Sequence, residues 1–292
     1  SLHLKEGSRC DFADVTYLKS DGRIAQSIPK DADLVHLHYE PKDIIELAKP
    51  CLITIHGNSA PGKILHTNAV FVSKDHARRH GSEVFVYNGL KWGEYSDPDL
   101  SRNRKYFHFL GKAAWRLKNV QGAIDVIESM KAEELRILGG TRLNMKMGFR
   151  WTLSRKCRFH GMVGGTEKDE LLNGSKGLLF PVRWHEPFGL AIIESLYFGC
   201  PVFGTPYGAL PELVNEEVGF LSASKKDMAE AMKNTEHFDK RRCYEYAMDE
   251  FNHKVMARNY LQIYEKVING DQLNRTEPQL QKGEGRVILP WS

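Results

Sequence analysis

Short apolar runs separated by amphipathic segments recur along the 292-residue chain and predict alternating buried strands and helices. Residues 24–28 favour a short helix or turn before Pro29, and residues 1–6 indicate the end of a helix. In the first hundred residues the predicted strands are 14–18, 34–39, 51–57, 69–73 and 84–87, and the predicted helices are 43–49 and 74–80. Parallel sheets are the usual product of such alternation.

The same alternation continues in the second half of the chain. The predicted strands are 106–111, 135–138, 158–163 and 177–181, with another beginning at Val202, and the predicted helices are 120–130, 167–174, 226–234, 239–251 and 253–268. Residues 141–158 are rich in Arg and Lys around a helical pattern. The whole pattern predicts an α/β protein with two doubly wound, Rossmann-like parallel-sheet domains that face a cleft.

Domain boundaries follow from a composition change. Residues 96–105 are polar with alternating charge and indicate a linker, so we predict domains at 1–97 and 98–270. The tail, 271–292, is polar and then basic, and we expect it to be loosely held.

The stretch from Gly177 to Gly204 is the most informative. It predicts a buried strand, then a loop that carries Trp184, His185 and Glu186, then a helix that begins at Gly189. The glycine Gly199, with a proline two positions later, ends that helix.

An anion site is expected where this helix begins. The N–H groups of Phe188, Gly189 and Leu190 have no partner within the helix, and the helix dipole favours negative charge there. Glu186 and Glu194 are eight residues apart, or roughly two helical turns. The arrangement suits a nucleotide sugar, with the diphosphate on the amides, sugar hydroxyls on one glutamate and ribose hydroxyls on the other.

Three histidines lie at the ends of the first predicted strands. His56 ends the strand 51–57, and ligands of open α/β sheets bind at the carboxyl ends of strands. Alternation places His36 and His38 on one face of their strand. A pair at a strand end is favoured over a metal site, because no carboxylate or cysteine lies at a suitable spacing.

Composition narrows the class of protein. Apolar residues make up 41% of the chain, charged residues 27%, and the net charge is +4, which fits an anionic ligand but not a nucleic-acid binder. No apolar run approaches the roughly 18 residues of a membrane span. The five scattered cysteines contain no C-x-x-C pair, so neither disulfides nor zinc are indicated and a reducing, cytoplasmic location is expected, with peripheral membrane contact left open.

The stretch 186–202 resembles the signature of the retaining glycosyltransferases of family four, which have the GT-B fold. The signature is Glu, seven residues, Glu, and then Gly-x-Pro-Val, present here as Glu186, Glu194 and residues 199–202. The segment 206–212, Pro-Tyr-Gly-Ala-Leu-Pro-Glu, is also similar to that family's loop after the next strand.

The resemblance implies roles for the remaining candidates. His56 matches the family's histidine beside the transferred sugar, and Lys118 matches a lysine set against the diphosphate. Lys112 stands where the family usually has arginine, so bidentate contact is lost there, and Arg116 could compensate. His160 follows the strand 158–163, whose end would lie near the base of the nucleotide.

The resemblance also implies a reaction. A sugar moves from a nucleoside diphosphate, expected to be UDP, to an acceptor with retention, by front-face substitution in which the leaving phosphate assists the acceptor. Glu186 would hold sugar hydroxyls and Glu194 the ribose, while Lys112, Lys118 and the Phe188–Leu190 amides stabilise the departing diphosphate. No cofactor and no essential metal are expected.

The chain departs from the family at its start. The family opens with a strand and a glycine-rich loop that this chain lacks, so the first domain is expected to be short or truncated. In the family the last helix crosses back onto the first domain, and the same is expected here.

Alternatives stay open. A nucleotide-sugar epimerase of the same fold, or a non-catalytic nucleotide-sugar-binding module, would use the same phosphate elements. The sequence leaves the sugar, the nucleoside, the pathway, the oligomeric state and the acceptor undetermined; the acceptor could be a saccharide, a lipid-linked saccharide or a small molecule.

Overall fold

Two small parallel sheets occupy the beginning of the chain. The computed structural model describes residues 2–5, 15–18, 23–145, 147, 149–285 and 288–292, the first two ranges by backbone only. Strand β1 (Leu2–Lys5) pairs with β2 (Val15–Leu18). Strands β3 (Val35–Leu37), β4 (Cys51–Ile55) and β5 (Ala69–Phe71) form a second sheet in that order, followed by helix α1 (Lys74–Arg79).

Three predictions for this region are wrong in detail. Residues 2–5 form a strand rather than a helix end, as their alternation of apolar and polar residues allows; residues 1 and 6 lie outside the described residues. The predicted helix 43–49 is a single 3-10 turn, Ile44–Glu46. The Asp43 carboxylate accepts the amides of Ile24 and Ala25 instead of capping a helix, and Pro50 ends the segment. Residues 84–87 make only a bridge to β5.

A six-stranded parallel sheet forms the second half, in the order β10-β7-β6-β11-β12-β13. Its elements along the chain are β6 (Tyr106–Leu110), α2 (Val120–Ser129), β7 (Leu135–Leu138), β8 (Leu143–Asn144), β9 (Arg150–Trp151), β10 (Cys157–Phe159), α3 (Gly165–Asn173), β11 (Ser175–Phe180), α4 (Leu190–Tyr197), β12 (Val202–Gly204), α5 (Leu210–Leu213), β13 (Gly219–Leu221), α6 (Lys225–Lys233), α7 (Lys240–Glu250) and α8 (His253–Ile268). Strands β8 and β9 form a separate antiparallel hairpin.

This hairpin contradicts the helix predicted within 141–158. From Leu143 to Leu153 every second residue is apolar, which is the period of a strand and not of a helix. Residues 146 and 148, within the same segment, lie outside the described residues.

Helices cover both faces of the large sheet. On one face Leu196 of α4 packs with Phe198 and with Ala247 of α7. On the other, Ile127 of α2 packs with Met228 of α6. Burial on both faces explains why the central strands are mainly apolar. The fold is therefore α/β with parallel sheets, as the sequence predicts.

The last helix lies against the first half of the chain. Tyr260 and Val267 of α8 pack with Leu52 of β4 and Val70 of β5. The Tyr260 hydroxyl is 2.7 Å from Thr54 Oγ1. Helix α8 therefore covers the three-stranded sheet.

The tail is not loosely held in its described part, which corrects the prediction. Asn274 is buried and donates to the carbonyls of Thr67 and Ala69. Glu284 pairs with Arg79, and Trp291 packs into the core between α2 and α6. The prediction failed because the composition of the tail is mainly polar, and only a few of its residues make these contacts.

Candidate functional site

Two loops meet at the carboxyl ends of neighbouring strands β6 and β11. Lys118 lies in the loop after β6 and Glu186 in the loop after β11. Lys118 Nζ is 2.5 Å from Glu186 Oε2, and Trp184 Nε1 donates to the same oxygen at 2.9 Å. The Lys118 and Glu186 side chains are only 13% and 8% exposed, so this ion pair is largely removed from water.

Aromatic rings surround the Lys118 ammonium. It lies 5.0 Å from the ring centroid of Phe180, 5.3 Å from that of Trp184 and 5.9 Å from that of Trp115. At these distances the ring faces attract the ammonium ion by cation–π interaction and so stabilise it at this position. Sequence reasoning assigned no role to Trp115 or Trp184, because nothing in their spacing shows that they converge on a lysine.

The loop before α4 has a fixed backbone. Gly189 has φ 107°, which only glycine adopts readily, and it precedes the first helical residue, Leu190. Ser73 Oγ donates to the Pro187 carbonyl at 2.6 Å. In the described part of the chain, the N–H groups of Phe188, Gly189 and Leu190 have no acceptor. These amides therefore keep their hydrogen-bonding capacity, and the anion site stays a prediction.

A close backbone contact joins Gly208, in the segment 206–212, to Glu186. A Cβ at Gly208 would lie 2.3 Å from the Glu186 amide nitrogen, and Gly208 has φ 64°. The next residue, Ala209, donates its N–H to the Glu186 carbonyl at 2.9 Å. Only glycine lets the two backbones approach this closely.

Glu194 makes a second, separate ion pair. Lys168 Nζ is 2.5 Å from Glu194 Oε1, and the Tyr95 hydroxyl donates to that oxygen at 2.9 Å. Burial and the neighbouring carboxylate raise the pKa of Tyr95. Because α4 begins at Leu190, Glu194 lies about one turn into the helix rather than the predicted two. Sequence reasoning missed both Tyr95 and Lys168.

Each glutamate is held through one oxygen alone. Lys118 and Trp184 both contact Glu186 Oε2, while Lys168 and Tyr95 both contact Glu194 Oε1. Within the described residues, Glu186 Oε1 and Glu194 Oε2 have no hydrogen-bond partner. Both glutamates therefore keep an acceptor for another group.

Lys112 and Arg116 are exposed and form no ion pair with any described residue. They share with Lys118 the loop that Asn119 closes with φ 53°. A Cβ at Gly139 would lie 2.1 Å from the Gly111 carbonyl oxygen, so the ends of β6 and β7 are in close contact. Arg116 also lines a cavity of about 330 Å³ beside the β8–β9 hairpin.

His160 follows β10, two strands away from β6 in the sheet. The backbone N–H of His160 donates to the Ile137 carbonyl at 3.0 Å. Burial and then Arg136 lower the pKa of His160, which favours the neutral ring. The structure thus places His160 at the same end of the sheet as Lys118 but not in contact with it.

His56 lies at the exposed end of β4 and shares a hydrogen bond with His38, whose Nδ1 is 2.9 Å from His56 Nε2. His36 lies on the same face, as predicted, and contacts the hydroxyls of Tyr264 and Thr54 at 2.7 Å each. Burial, then His38 and His56, lower the pKa of His36 to about 4. Burial also lowers the pKa of His38 and of His56.

Several contacts join the first half of the chain to these loops. Asn58 Nδ2, in the loop after β4, donates to the His185 carbonyl at 2.9 Å. Glu212 accepts the N–H groups of Lys74 and Asp75, at the start of α1, both at 2.9 Å. The two halves therefore meet directly beside Glu186, although no direct contact between His56 and Glu186 occurs in the described structure.

The described residues lack two features, a metal-binding cluster and a membrane-spanning helix. No group of three or more His, Cys, Asp and Glu side chains is placed to hold a metal ion. No described helix is long and apolar enough to cross a membrane. The expectation that no metal is essential stays a prediction.

Comparison with known proteins finds a family match over the part of the chain that carries the candidate site. Residues 104–235 match the family model described as Glycosyl transferases group 1, and this range contains Lys112, Lys118, Glu186 and Glu194. A probable sucrose-phosphate synthase of Thermosipho melanesiensis is 30% identical over 118 residues, which is 38% of this chain and 28% of that protein. The chain thus matches less than a third of this curated relative.

Solved structures show the same fold. A glycosyltransferase from Rickettsia africae superposes with a TM-score of 0.69 at 16% identity, covering 88% of this chain and 86% of that one. AviGT4, a glycosyltransferase involved in avilamycin A biosynthesis, gives 0.67 at 19% identity over 85% and 77%. Anabaena Alr3699/HepE, solved with UDP and glucose, gives 0.62 at 16% identity over 87% and 85%. The fold resembles that of GT-B glycosyltransferases, and the matches together support a transferase.

Proposed function

We propose that this chain transfers a sugar from a nucleoside-diphosphate sugar to an acceptor with retention at the anomeric carbon, as in glycosyltransferase family four. The observation that supports this most strongly is the Lys118–Glu186 contact beside the start of α4. It joins a cation to a carboxylate, and this carboxylate lies two residues before Phe188, the first of the amides without an acceptor among the described residues. UDP is the expected nucleotide, in keeping with the UDP bound by the Anabaena protein.

The diphosphate would bind at the Phe188–Leu190 amides. Lys118 would then exchange the Glu186 carboxylate for a phosphate oxygen, because phosphate carries more negative charge at the same distance. Lys112 and Arg116, exposed in the same loop, would add positive charge. The protein thereby neutralises the leaving group with side chains and amides and needs no metal ion.

Donor binding would free Glu186 for the sugar. Its Oε1 is without a partner among the described residues, and loss of Lys118 from Oε2 would expose a second acceptor to the sugar hydroxyls. Glu194 Oε2 would accept the ribose hydroxyls while Lys168 and Tyr95 hold Oε1. His56 would lie on the sugar side of the cleft, and His160 near the base.

The transfer step is a front-face substitution. The bond from the anomeric carbon to the phosphate oxygen breaks, and the acceptor oxygen bonds to the same face of that carbon. The proton of the acceptor hydroxyl passes to the departing phosphate oxygen, so UDP leaves protonated and no further reactant is needed. The chain supplies charge and positioning.

Two single substitutions test the roles. Glu186→Gln should lower kcat strongly with little loss of UDP affinity, because contacts at the reacting sugar strengthen as positive charge develops there. Glu194→Gln should chiefly raise the donor KM and weaken UDP itself, because ribose contacts are similar in the ground and transition states. The constants come from UDP release and from calorimetry with UDP.

The outcome also separates the alternatives. An epimerase would convert the nucleotide sugar without releasing UDP, and the relatives do not favour it. A non-catalytic module would bind UDP with no turnover in any variant. If Glu186→Gln leaves kcat unchanged, or Glu194→Gln leaves UDP affinity unchanged, the role given to that residue is wrong.

A further inference from the structure

The β8–β9 hairpin has a large exposed apolar face. Its alternate side chains are between 40% and 75% exposed: Leu143, Met145, Met147, Phe149, Trp151 and Leu153. Scattered exposed apolar residues need no explanation, but a contiguous set on one face usually marks a contact surface. The exposed apolar side chains of the hairpin therefore indicate a surface that contacts another molecule or a membrane.

The polar side of the hairpin faces the protein. Thr152 is buried at 5% exposure, and Arg150 donates to its hydroxyl at 2.7 Å and to the Thr141 carbonyl at 2.8 Å. Arg142 donates to the carbonyls of Ser154 at 2.9 Å and Cys157 at 2.5 Å. A sheet over a core normally buries its apolar face and exposes its polar one. Here the arrangement is inverted, and these hydrogen bonds fix it.

Positive charge accompanies the apolar face. Residues 141–158 contain six Lys and Arg and no Asp or Glu. Arg155 and Arg158 are exposed. The acidic groups nearby are on other elements: Glu134 lies 3.7 Å from Arg158, and Glu128 accepts a hydrogen bond from Ser154. The segment 141–158 therefore carries a net positive charge, with Arg155 and Arg158 exposed directly after the apolar hairpin.

We propose that this hairpin docks the protein on the surface of a bilayer that contains anionic phospholipids. Its apolar side chains would enter the headgroup boundary, where aromatic rings such as those of Phe149 and Trp151 are favoured. The exposed Arg155 and Arg158, which follow the hairpin, would contact lipid phosphates. A second copy of the chain is the weaker candidate, because two such faces would bring like charges together.

Docking would also position the candidate site. Met147 and Phe149 line the cavity of about 330 Å³ together with Trp115 and Arg116 of the loop after β6. A docked hairpin therefore holds that loop beside the lipid surface. The docking proposal does not depend on the proposed transfer reaction, since it rests on the hairpin alone.

Vesicle flotation of the full chain tests the proposal. Phosphatidylcholine vesicles with phosphatidylserine should bind at least roughly tenfold more protein than phosphatidylcholine vesicles alone, and added salt should weaken the binding. Phe149→Ser with Trp151→Ser should reduce binding to anionic vesicles by a similar factor. The matched control is Ile45→Ser with Leu261→Ser, which removes exposed apolar side chains elsewhere and should change nothing.

A second measurement reports on depth. Brominated lipid should quench tryptophan fluorescence of the full chain, and Trp151→Phe should remove most of that quenching. Equal thermal unfolding temperatures would show that the variants are folded. The proposal is overturned if the chain ignores anionic vesicles, or if the hairpin variant binds as the control does. A concentration-dependent dimer that the hairpin variant abolishes would assign the face to a second copy instead.

Discussion

Replacing Lys118 with methionine removes one partner of the buried ion pair, together with the charge that contacts three aromatic rings. Methionine keeps an unbranched apolar side chain that can pack among Phe180, Trp115 and Trp184. Among the described residues, the Glu186 carboxylate then retains only the indole N–H of Trp184. We expect the fold to persist and the free energy of unfolding to fall.

The exposures of the two side chains set the magnitude. Removing one partner of a buried pair costs about 3–5 kcal/mol, whereas an exposed pair contributes about 0–1 kcal/mol. At 13% and 8% exposure the Lys118–Glu186 pair belongs near the lower end of the first range. For a chain of 292 residues, a loss of about 3 kcal/mol corresponds to an unfolding temperature lower by roughly 5 °C.

A matched control separates burial from charge. Arg241 and Glu245 are 2.9 Å apart, but their side chains are 77% and 46% exposed. Arg241→Met should therefore lower the unfolding temperature by no more than roughly 2 °C. Lys118→Met combined with Glu186→Gln should recover part of the loss, because neutral glutamine needs no cation, with a coupling of about 1 kcal/mol or more.

The comparison uses thermal unfolding, followed by circular dichroism, of five proteins: the natural chain, Lys118→Met, Glu186→Gln, the double variant of these two, and Arg241→Met. If Lys118→Met and Arg241→Met lower the unfolding temperature equally, or if the double substitution loses the sum of the two single losses, the ion pair is not formed as described. UDP should raise the unfolding temperature of the natural chain, and by less after Lys118→Met, because a binding ligand stabilises the folded state.

Two further predictions concern the backbone near Glu186 and the pH dependence. Gly208→Ala should abolish turnover and destabilise the folded chain, because the new Cβ would meet backbone atoms of Glu186. The control is Gly161→Ala, at φ 71° but with open space around it, which should lower the free energy of unfolding by only about 1–2 kcal/mol and retain turnover. Equal effects of the two substitutions would refute the close approach of Gly208 to Glu186. His36 has its pKa lowered to about 4 from 6.5, so the unfolded chain takes up the proton first as the pH falls. Its stabilising effect is complete above pH 6.5 and is lost as the pH falls towards 4, by about 2 kcal/mol between pH 7 and 5. Urea unfolding should show a smaller fall for His36→Gln, and an equal fall would refute the assignment.

The sequence is most informative where the sheet is buried on both faces. Strand β6 is apolar apart from His108 and β11 ends in the apolar run 177–180, while α4 follows from its apolar face and from Gly199. Their prediction succeeds because burial dictates residue type directly. The hairpin at 143–151 was missed because its apolar side faces solvent, so Arg and Lys between apolar residues suggested an amphipathic helix.

Contacts within the site could be predicted only in part. The motif spacing brings Glu186 and the start of α4 together through local geometry. The partners of the two glutamates, by contrast, come from other parts of the chain: Lys118 is 68 residues from Glu186, and Tyr95 is 99 from Glu194. No local pattern encodes such pairs, because they depend on the strand order of the sheet.

The most direct test of glycosyl transfer is proton NMR of the anomeric signals while the chain consumes a UDP-sugar in the presence of EDTA, beginning with UDP-glucose and with water as the acceptor. We predict release of UDP together with glucose that appears first in the α configuration, and loss of this reaction in Glu186→Gln. First appearance of the β configuration, a requirement for added metal, or an epimerised nucleotide sugar without UDP would contradict the proposed reaction.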